Sequence, residues 1–394
     1  MSLNLARILP QIDNLGETIA EQQRVLNSAL PRARDGLIAA SQMGLDELQR
    51  RVTAAGDRWP GAAPTDEPVD AMFPAPAAPV EFTVIGADGS QIYPDRHTST
   101  FYYLINIGSI RVTHGSKKTP ITDQQPALYY SREDVYDPQG RPIQPALVNL
   151  RRDVAEMKAL GDGAAKIEQH PKLALLDNSL LLWMTLEAEV SARREIDQRL
   201  AQYLQAMDRL RADKVALAGF IDRPRNMNTL ALIHLAQLAQ DEISREALDH
   251  IPYLGLTDLD LFLTLLPVGA RSARFVLTSP LNRDFEAAGH QVQYFYLNPG
   301  SDGQIVRVEV PAWVGENNSM LNDLHAGLLQ DCSTTGGFPY VLLRAHELAV
   351  INPREREMLE QRIERILIQT GGSRGPSQKS ITKGWTQGRR RHRL

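Results

Sequence analysis

Between residues 81 and 112 two apolar runs, "EFTVIGA" and "FYYLINIGSI", flank the polar stretch "DGSQIYPDRHTST". Runs rich in β-branched and aromatic residues and bounded by Asp, Gly, Pro and Ser predict strands, here joined by the turn "YPDRHTS". The segments "KLALLDNSLLLW", "KVALAGFIDRPRN", "ARFVLTSP", "QVQYFYLNP" and "IVRVEVPAW" are strand candidates of the same kind. Apolar residues at three- and four-residue spacing predict helices in "LARILPQIDNLGETIAEQQRVLNSAL" and "GLDELQRRVTAAGDRW" near the start. The segment "ALVNLRRDVAEMKALGDGA" places Leu147, Leu150, Val154, Met157 and Leu160 on one helical face. "EAEVSARREIDQRLAQYLQAMDRLRAD" is a long charged helix. "NTLALIHLAQLAQDEIS", "GENNSMLNDLHAGLLQDC" and "PREREMLEQRIERILIQT" are helical, and "TDLDLFLTLLP" is a short helix. The stretch from 113 to about 145 reads as loop, and "GGFPYVLLRAHELAVI" as an apolar strand running into His346.

Strands and helices interleave, which predicts one α/β domain with a mixed sheet over residues 81–370. Ahead of it lie a helical segment, 1–58, and a Pro/Ala-rich linker, 59–80; a basic tail, 371–394, follows. No internal repeat is present.

Of the 394 residues, 43% are hydrophobic and 23% charged, the balance of an ordinary globular chain with ample length for a core. No apolar run is long enough to span a bilayer, and the first residues lack the apolar block of a signal peptide, so a cytoplasmic location and no membrane partner are expected. The single cysteine, Cys332, excludes an intrachain disulfide and a cysteine-based zinc site. A net charge of −4 gives no global basic field. The last stretch is locally basic, with Lys379, Lys383, Arg389, Arg390, Arg391 and Arg393 around Trp385 and no acid. It fits a solvated tail or an arm that binds phosphates.

Two sites carry chemistry. Asp88-Gly89-Ser90 and Asp177-Asn178-Ser179 each follow an apolar run and are followed by small polar residues. Aspartate is a poor strand former and costly to bury. If the two runs neighbour each other, both carboxylates emerge at one edge and repel unless a cation lies between them. Mg²⁺ or Mn²⁺ held by carboxylates and substrate phosphate answers that repulsion, and such a site suits phosphodiester hydrolysis. The competing reading makes both aspartates ordinary turn residues. Glu156, on the helix before the second aspartate run, is the candidate third carboxylate, with Asp153 one turn away in competition. His346 is a candidate ligand or a satisfied structural group. Tyr294 and Tyr296 alternate on a strand, which fits core packing or stacking on bases.

The combination "GADGSQIYP…FYYLINIGSI", "LALLDNSLL", "VQYFYLN…RVEVPAWV" and "GGFPYVLLRAHELAVI" resembles the NurA family of DNA-end-processing nucleases, in the family's order over roughly residues 80 to 355. The resemblance implies an RNase H-like core, a divalent-metal site that usually prefers Mn²⁺, with Mg²⁺ as the alternative, and homodimers. It also implies single-strand endonuclease and 5′-to-3′ exonuclease activity on DNA ends, in end resection and double-strand break repair with the hexameric ATPase HerA. Carried over by motif, Asp88 and Asp177 are core metal ligands, Glu156 the helix-borne acid, and His346 a late ligand or general acid/base. Arg307 and Glu309 match a further motif without assigned chemistry. Where a lysine is expected after "GFI", this chain has Asp222-Arg223-Pro224-Arg225. Arg223 and Arg225 are therefore candidate phosphate contacts, with Tyr296, Arg307, Arg389, Arg390 and Arg391 the other candidate DNA contacts. Two further hypotheses stand beside the nuclease: a non-catalytic scaffold or clamp of a translocase complex, and a sugar-kinase-like phosphotransferase, for which the chain lacks convincing glycine-rich nucleotide segments.

Overall fold

The computed structural model describes residues 4–371 apart from 57–58, 60, 96–99, 138, 169–170, 187–191, 254 and 301–303. The chain opens with helices α1 (Leu9–Met43) and α2 (Leu45–Ala55), then short strands β1 (Ala62–Pro64) and β2 (Met72–Phe73). Three long strands follow: β3 (Phe82–Ile92), β4 (Tyr103–His114) and β5 (Ile121–Tyr129). Next come α3 (Arg132–Val135), α4 (Pro145–Ala164), β6 (Lys172–Leu176), α5 (Arg193–Ala212) and β7 (Val215–Ile221). Helices α6 (Asn228–Gln237), α7 (Arg245–Asp249) and α8 (Asp258–Leu263) lead to β8 (Arg271–Ser272) and β9 (Phe275–Leu277). The chain continues through α9 (Pro280–Ala287), β10 (Val292–Leu297), β11 (Val306–Pro311), α10 (Ala312–Gly315) and α11 (Asn318–Cys332). It closes with α12 (Tyr340–Ala349) and α13 (Pro353–Gln369).

These elements gather into two compact units, Met1–Phe82 with Asp177–Leu181 and Ala216–Tyr340, and Thr83–Leu176 with Leu182–Val215 and Val341–Leu394. In the first unit the strands run in the order β1-β9-β10-β11-β7, each pair antiparallel. Aromatic and branched residues on β9 to β11, among them Phe275, Tyr294, Phe295, Tyr296, Val306 and Val308, are fully buried. The second half of α1 buries Ala33, Leu37 and Ala40. The Pro/Ala-rich stretch 59–80 contributes two strands to this sheet. β1 pairs with β9 from Ala62↔Leu277 to Pro64↔Phe275, and β2 pairs with β8. Between them Glu67 accepts from Arg271 Nη2 at 2.8 Å and Arg274 Nε at 3.1 Å, so the proline-rich signal conceals a buried ion pair.

The second unit carries the order β6-β3-β4-β5, with β3 parallel to β6 and β4 antiparallel to β5. This is the mixed α/β sheet expected from the sequence. Helix α4 buries the predicted face Leu147, Leu150, Val154, Met157 and Leu160. It is tied to α5 by Arg151, whose Nε donates to Glu195 Oε1 at 2.6 Å while its Nη1 donates to the Tyr103 hydroxyl.

Three expectations are corrected here. β5 occupies a stretch that reads as loop; its run "ITDQQPALY" is mostly exposed and polar, so it lacks the apolar alternation that marks a strand. "YVLLRAHELA" is helix α12, not a strand running into His346: it is ten residues long, and its buried positions Val341, Leu342, Ala345 and Ala349 fall at helical spacing. Asp88 does not end its strand, because β3 runs on through Gly89, Ser90 and Gln91 to Ile92. That removes the turn reading of Asp88.

Candidate active site

The pairing of β3 explains how an aspartate is tolerated within it. The ladder with β6 runs from Thr83↔Lys172 to Ala87↔Leu176, and β6 ends there. Up to Ala87 the strand is buried; from Asp88 to Gln91 it is half-buried. Asp88 is thus the first residue beyond the β6 ladder, on the half-buried end of β3. Asp177 directly follows Leu176, the last residue of β6.

Asp88 is gripped at both oxygens. Its Oδ1 accepts from the Gly89 backbone N–H at 2.8 Å, and its Oδ2 accepts from His346 Nδ1 at 2.7 Å. A proton on Nδ1 leaves the lone pair of the neutral ring at Nε2, on a side chain 60% exposed. Helix α12 presents His346 because its last carbonyls are held by strand side chains. Asn106 Nδ2 donates to Ala349 O at 2.8 Å, Gln124 Nε2 donates to Leu348 O at 2.7 Å, and Ser90 Oγ also donates to Ala349 O. Gly108 permits the close approach, since a Cβ there would lie 2.5 Å from Ala345 O.

Helix α4 adds Arg152, Asp153 and Glu156. Arg152 Nη2 lies 2.8 Å from Asp153 Oδ1, and its Nε lies 3.1 Å from Glu156 Oε1. Arg152 Nη1 also donates to Gln91 Oε1 on β3 at 3.0 Å. Glu156 lies directly over the strand: a Cβ on Gly89 would sit 2.6 Å from its Oε1. Burial disfavours charge on Arg152, but the nearby Glu156, Asp153 and Asp88 carboxylates outweigh it and hold the guanidinium charged. Burial pushes the Asp153 carboxyl above its usual value, and the Asp88 charge adds to the rise while Arg152 opposes it. Asp153 and Glu156 are buried to the same degree and share the Arg152 guanidinium.

The carboxylate oxygens are of the donor type that suits Mn²⁺ and Mg²⁺, the imidazole is of a type that suits softer ions, and the carboxylates already enclose one cation, the Arg152 guanidinium. In donor type the carboxylates fit a hard divalent ion. Among the described residues, no group of three His, Cys, Asp or Glu side chains is already assembled as a metal cage.

The remaining candidates divide by exposure. Arg223 and Arg225 lie exposed in the loop after β7, Arg223 with a positive φ of 48°. Arg307 and Tyr296 are corrected as DNA contacts, because both are buried and committed within the protein. Arg307 is 1% exposed, paired with Glu309 at 2.9 Å, and stacked 3.6 Å above the Tyr294 ring. The Tyr296 hydroxyl donates to Asp258 Oδ2 at 2.7 Å. Every residue of β10 and β11 is buried, as in a strand covered on both faces, so neither strand offers a surface to bases. Arg389, Arg390 and Arg391 lie outside the described residues. Sequence reasoning misses Arg152, whose only signal there is an arginine preceding Asp153 and four residues ahead of Glu156.

Comparison with known proteins agrees with this architecture. The crystal structure of the NurA nuclease from Sulfolobus solfataricus is similar at a TM-score of 0.50 and 13% identity, over 76% of this chain and 88% of that one. A crystal structure of NurA matches at a TM-score of 0.43 and 10% identity, over 87% of this chain and 96% of that one. A crystal structure of NurA bound to dAMP and manganese matches at 0.40 and 12% identity, over 90% and 96%. No curated protein matches. Residues 82–351, more than half of the chain, match the NurA domain, and this span holds the β3 carboxylate, the α4 acids and the α12 histidine: the chain belongs to the NurA family.

Proposed function

We propose that the protein is a metal-dependent DNA nuclease, cutting single strands internally and degrading ends 5′ to 3′. The observation that carries this reading is the clasp of Asp88 by His346 beside the Glu156 carboxylate, where β3 runs past the end of β6. Asp88, Glu156 and Asp177 would hold the divalent ion, Mn²⁺ in preference to Mg²⁺. When bound, that ion would offset charge on the scissile phosphate and acidify a water. His346 would carry a proton at Nε2, with Asp88 fixing the tautomer through Nδ1. Arg152 keeps Asp153 and Glu156 from repelling each other. Arg223, Arg225 and the tail arginines Arg389, Arg390 and Arg391 would contact backbone phosphates.

The same reading places the protein in end resection and double-strand break repair, in the cytoplasm, with a HerA-type hexameric ATPase. A homodimer is supported by the first half of α1, where Leu9, Ile12, Leu15 and Ile19 are each about half exposed at helical spacing.

Cleavage of a single-stranded oligonucleotide at varied Mn²⁺ tests the nuclease. Asp88→Ala and Asp177→Ala are expected to lower the rate by at least about 100-fold, the scale set by loss of a group that stabilises transition-state charge. Glu156→Gln is expected to act like them, and Asp153→Asn to cost less than about 10-fold. Variants as active as wild type defeat the reading. A protein whose melting temperature does not rise with Mn²⁺ is the scaffold instead, since a ligand that binds the native state must raise it.

A further inference from the structure

The segment that follows β6 is anchored to one buried side chain. Glu309, on β11, is 2% exposed. Its Oε2 accepts from Ser179 Oγ at 2.7 Å and from the Leu180 backbone N–H at 3.0 Å. Its Oε1 accepts from Arg307 Nε at 3.1 Å and Nη2 at 2.9 Å. Arg307 donates in turn to Asn228 Oδ1 at 3.0 Å. The two carboxylate oxygens thus act separately, one balancing the arginine and the other holding the loop.

A second contact fixes the same loop independently. Gly219 on β7 is the register partner of Glu309. A Cβ there would stand 2.4 Å from the Asn178 carbonyl oxygen and 3.2 Å from the Leu180 nitrogen, closer than backbone atoms allow. The loop closes on itself as well: Asn178 Oδ1 accepts from the Ser179 N–H at 2.8 Å, and Ser179 Oγ accepts from the Leu181 N–H at 3.1 Å. A buried carboxylate is expensive unless all its acceptor capacity is used. Here half of that capacity goes to a loop whose first residue is Asp177.

We propose that Glu309 is a positioning residue for Asp177. By holding Ser179 and Leu180 against β11 it sets the direction in which the Asp177 carboxylate leaves the end of β6. This rests on Asp177 being a metal ligand. Outer partners of ligands are the usual means of orienting them, and their loss typically costs about 10- to 100-fold in metal affinity. The inference assigns a role to the "RVEVP" motif that its sequence alone does not disclose.

The test uses the full chain and Mn²⁺ alone as the probe. Glu309→Gln leaves Arg307 unbalanced and risks misfolding, so Ser179→Ala, which keeps the ion pair, is the main variant. Gly219→Ala, which pushes on the Asn178 carbonyl, is the second. Mn²⁺ affinity is read by calorimetry, and the oligonucleotide cleavage rate is read against Mn²⁺ concentration. Ser179→Ala is expected to bind Mn²⁺ about 10-fold more weakly and Gly219→Ala more weakly still. Cleavage at saturating Mn²⁺ should return to within a few-fold of wild type, and Ser179→Thr should restore affinity. A purely structural role would lower stability and leave the Mn²⁺ affinity of the folded protein alone. Wild-type protein that binds no Mn²⁺ overturns the ligand reading and this proposal with it. Wild type that binds, with Ser179→Ala and Gly219→Ala binding equally well, overturns the positioning role only.

Discussion

Arg152 on α4 and Arg307 on β11 each lie against carboxylates, yet their surroundings differ. Arg152 is about one-fifth exposed and shared among Asp153, Glu156 and Gln91, with Asp88 and its partly exposed histidine nearby. Arg307 is sealed: its donors are taken by Glu309 and Asn228, and its face is covered by Tyr294. The carboxylates around Arg152 outnumber the cation: Asp153 and Glu156 are themselves buried, while Asp88 and the exposed His346 carry the cluster to the surface. Those around Arg307 are matched bond for bond and have no access to solvent. Similar residue types thus make one cluster with an excess of carboxylates and an exposed histidine, and another that is sealed and balanced.

The largest expected effect breaks the sealed cluster. Glu309→Ala strands a buried guanidinium and frees two loop donors, and removing one partner of a buried pair typically costs about 3–5 kcal/mol. Urea denaturation should show that loss, whereas Glu156→Gln, which keeps an acceptor for Arg152 and leaves Asp153 to balance it, should cost less, about 1–2 kcal/mol. Equal losses from the two would erase the distinction.

A second expectation concerns protons. His325 on α11 is buried, with Nε2 2.8 Å from the Gly269 carbonyl. Burial lowers its pKa from 6.5 to about 4, and the Arg271 charge adds to the fall while the Gly269 bond opposes it. Below pH 6.5 the unfolded chain therefore binds a proton that the folded protein refuses, and stability drops until about pH 4, where the folded form also takes it up. The loss is on the order of 2–3 kcal/mol across that window. His325→Gln, which still donates to the carbonyl, should flatten this limb in unfolding measured between pH 4 and 7. An unchanged limb would assign the acid loss to other groups.

Much of this arrangement is legible in the sequence, and the failures have definite causes. β3, β4 and the α4 face are readable because their apolar positions coincide with their burial. The helix of His346 is masked because "YVLLRA" opens as an apolar run, and β5 because its side chains are polar. Asp88 stands out as anomalous in the sequence, but the reason it is tolerated is the early end of β6, a tertiary fact. The guanidinium of Arg152 and the loop contact of Glu309 are set by side chains 61 and 130 residues away in sequence, beyond any local pattern.

Tyr296→Phe is the smallest change and the sharpest check on where DNA does not bind. The hydroxyl donates to Asp258 Oδ2, which also accepts from the Thr229 N–H at 2.9 Å, while Oδ1 accepts from the Leu230 N–H at 3.0 Å. Burial already raises the Asp258 pKa, and these bonds oppose the rise. Losing the hydroxyl removes one of three donors and keeps the ring stacked on Phe262, so about 1 kcal/mol of stability should go. Affinity for single-stranded DNA should be unchanged, because a ring with no exposed surface offers no face to a base. Weaker binding by a stably folded Tyr296→Phe protein would mean that the sealed cluster opens in solution, and the contrast between the two arginine sites would fail.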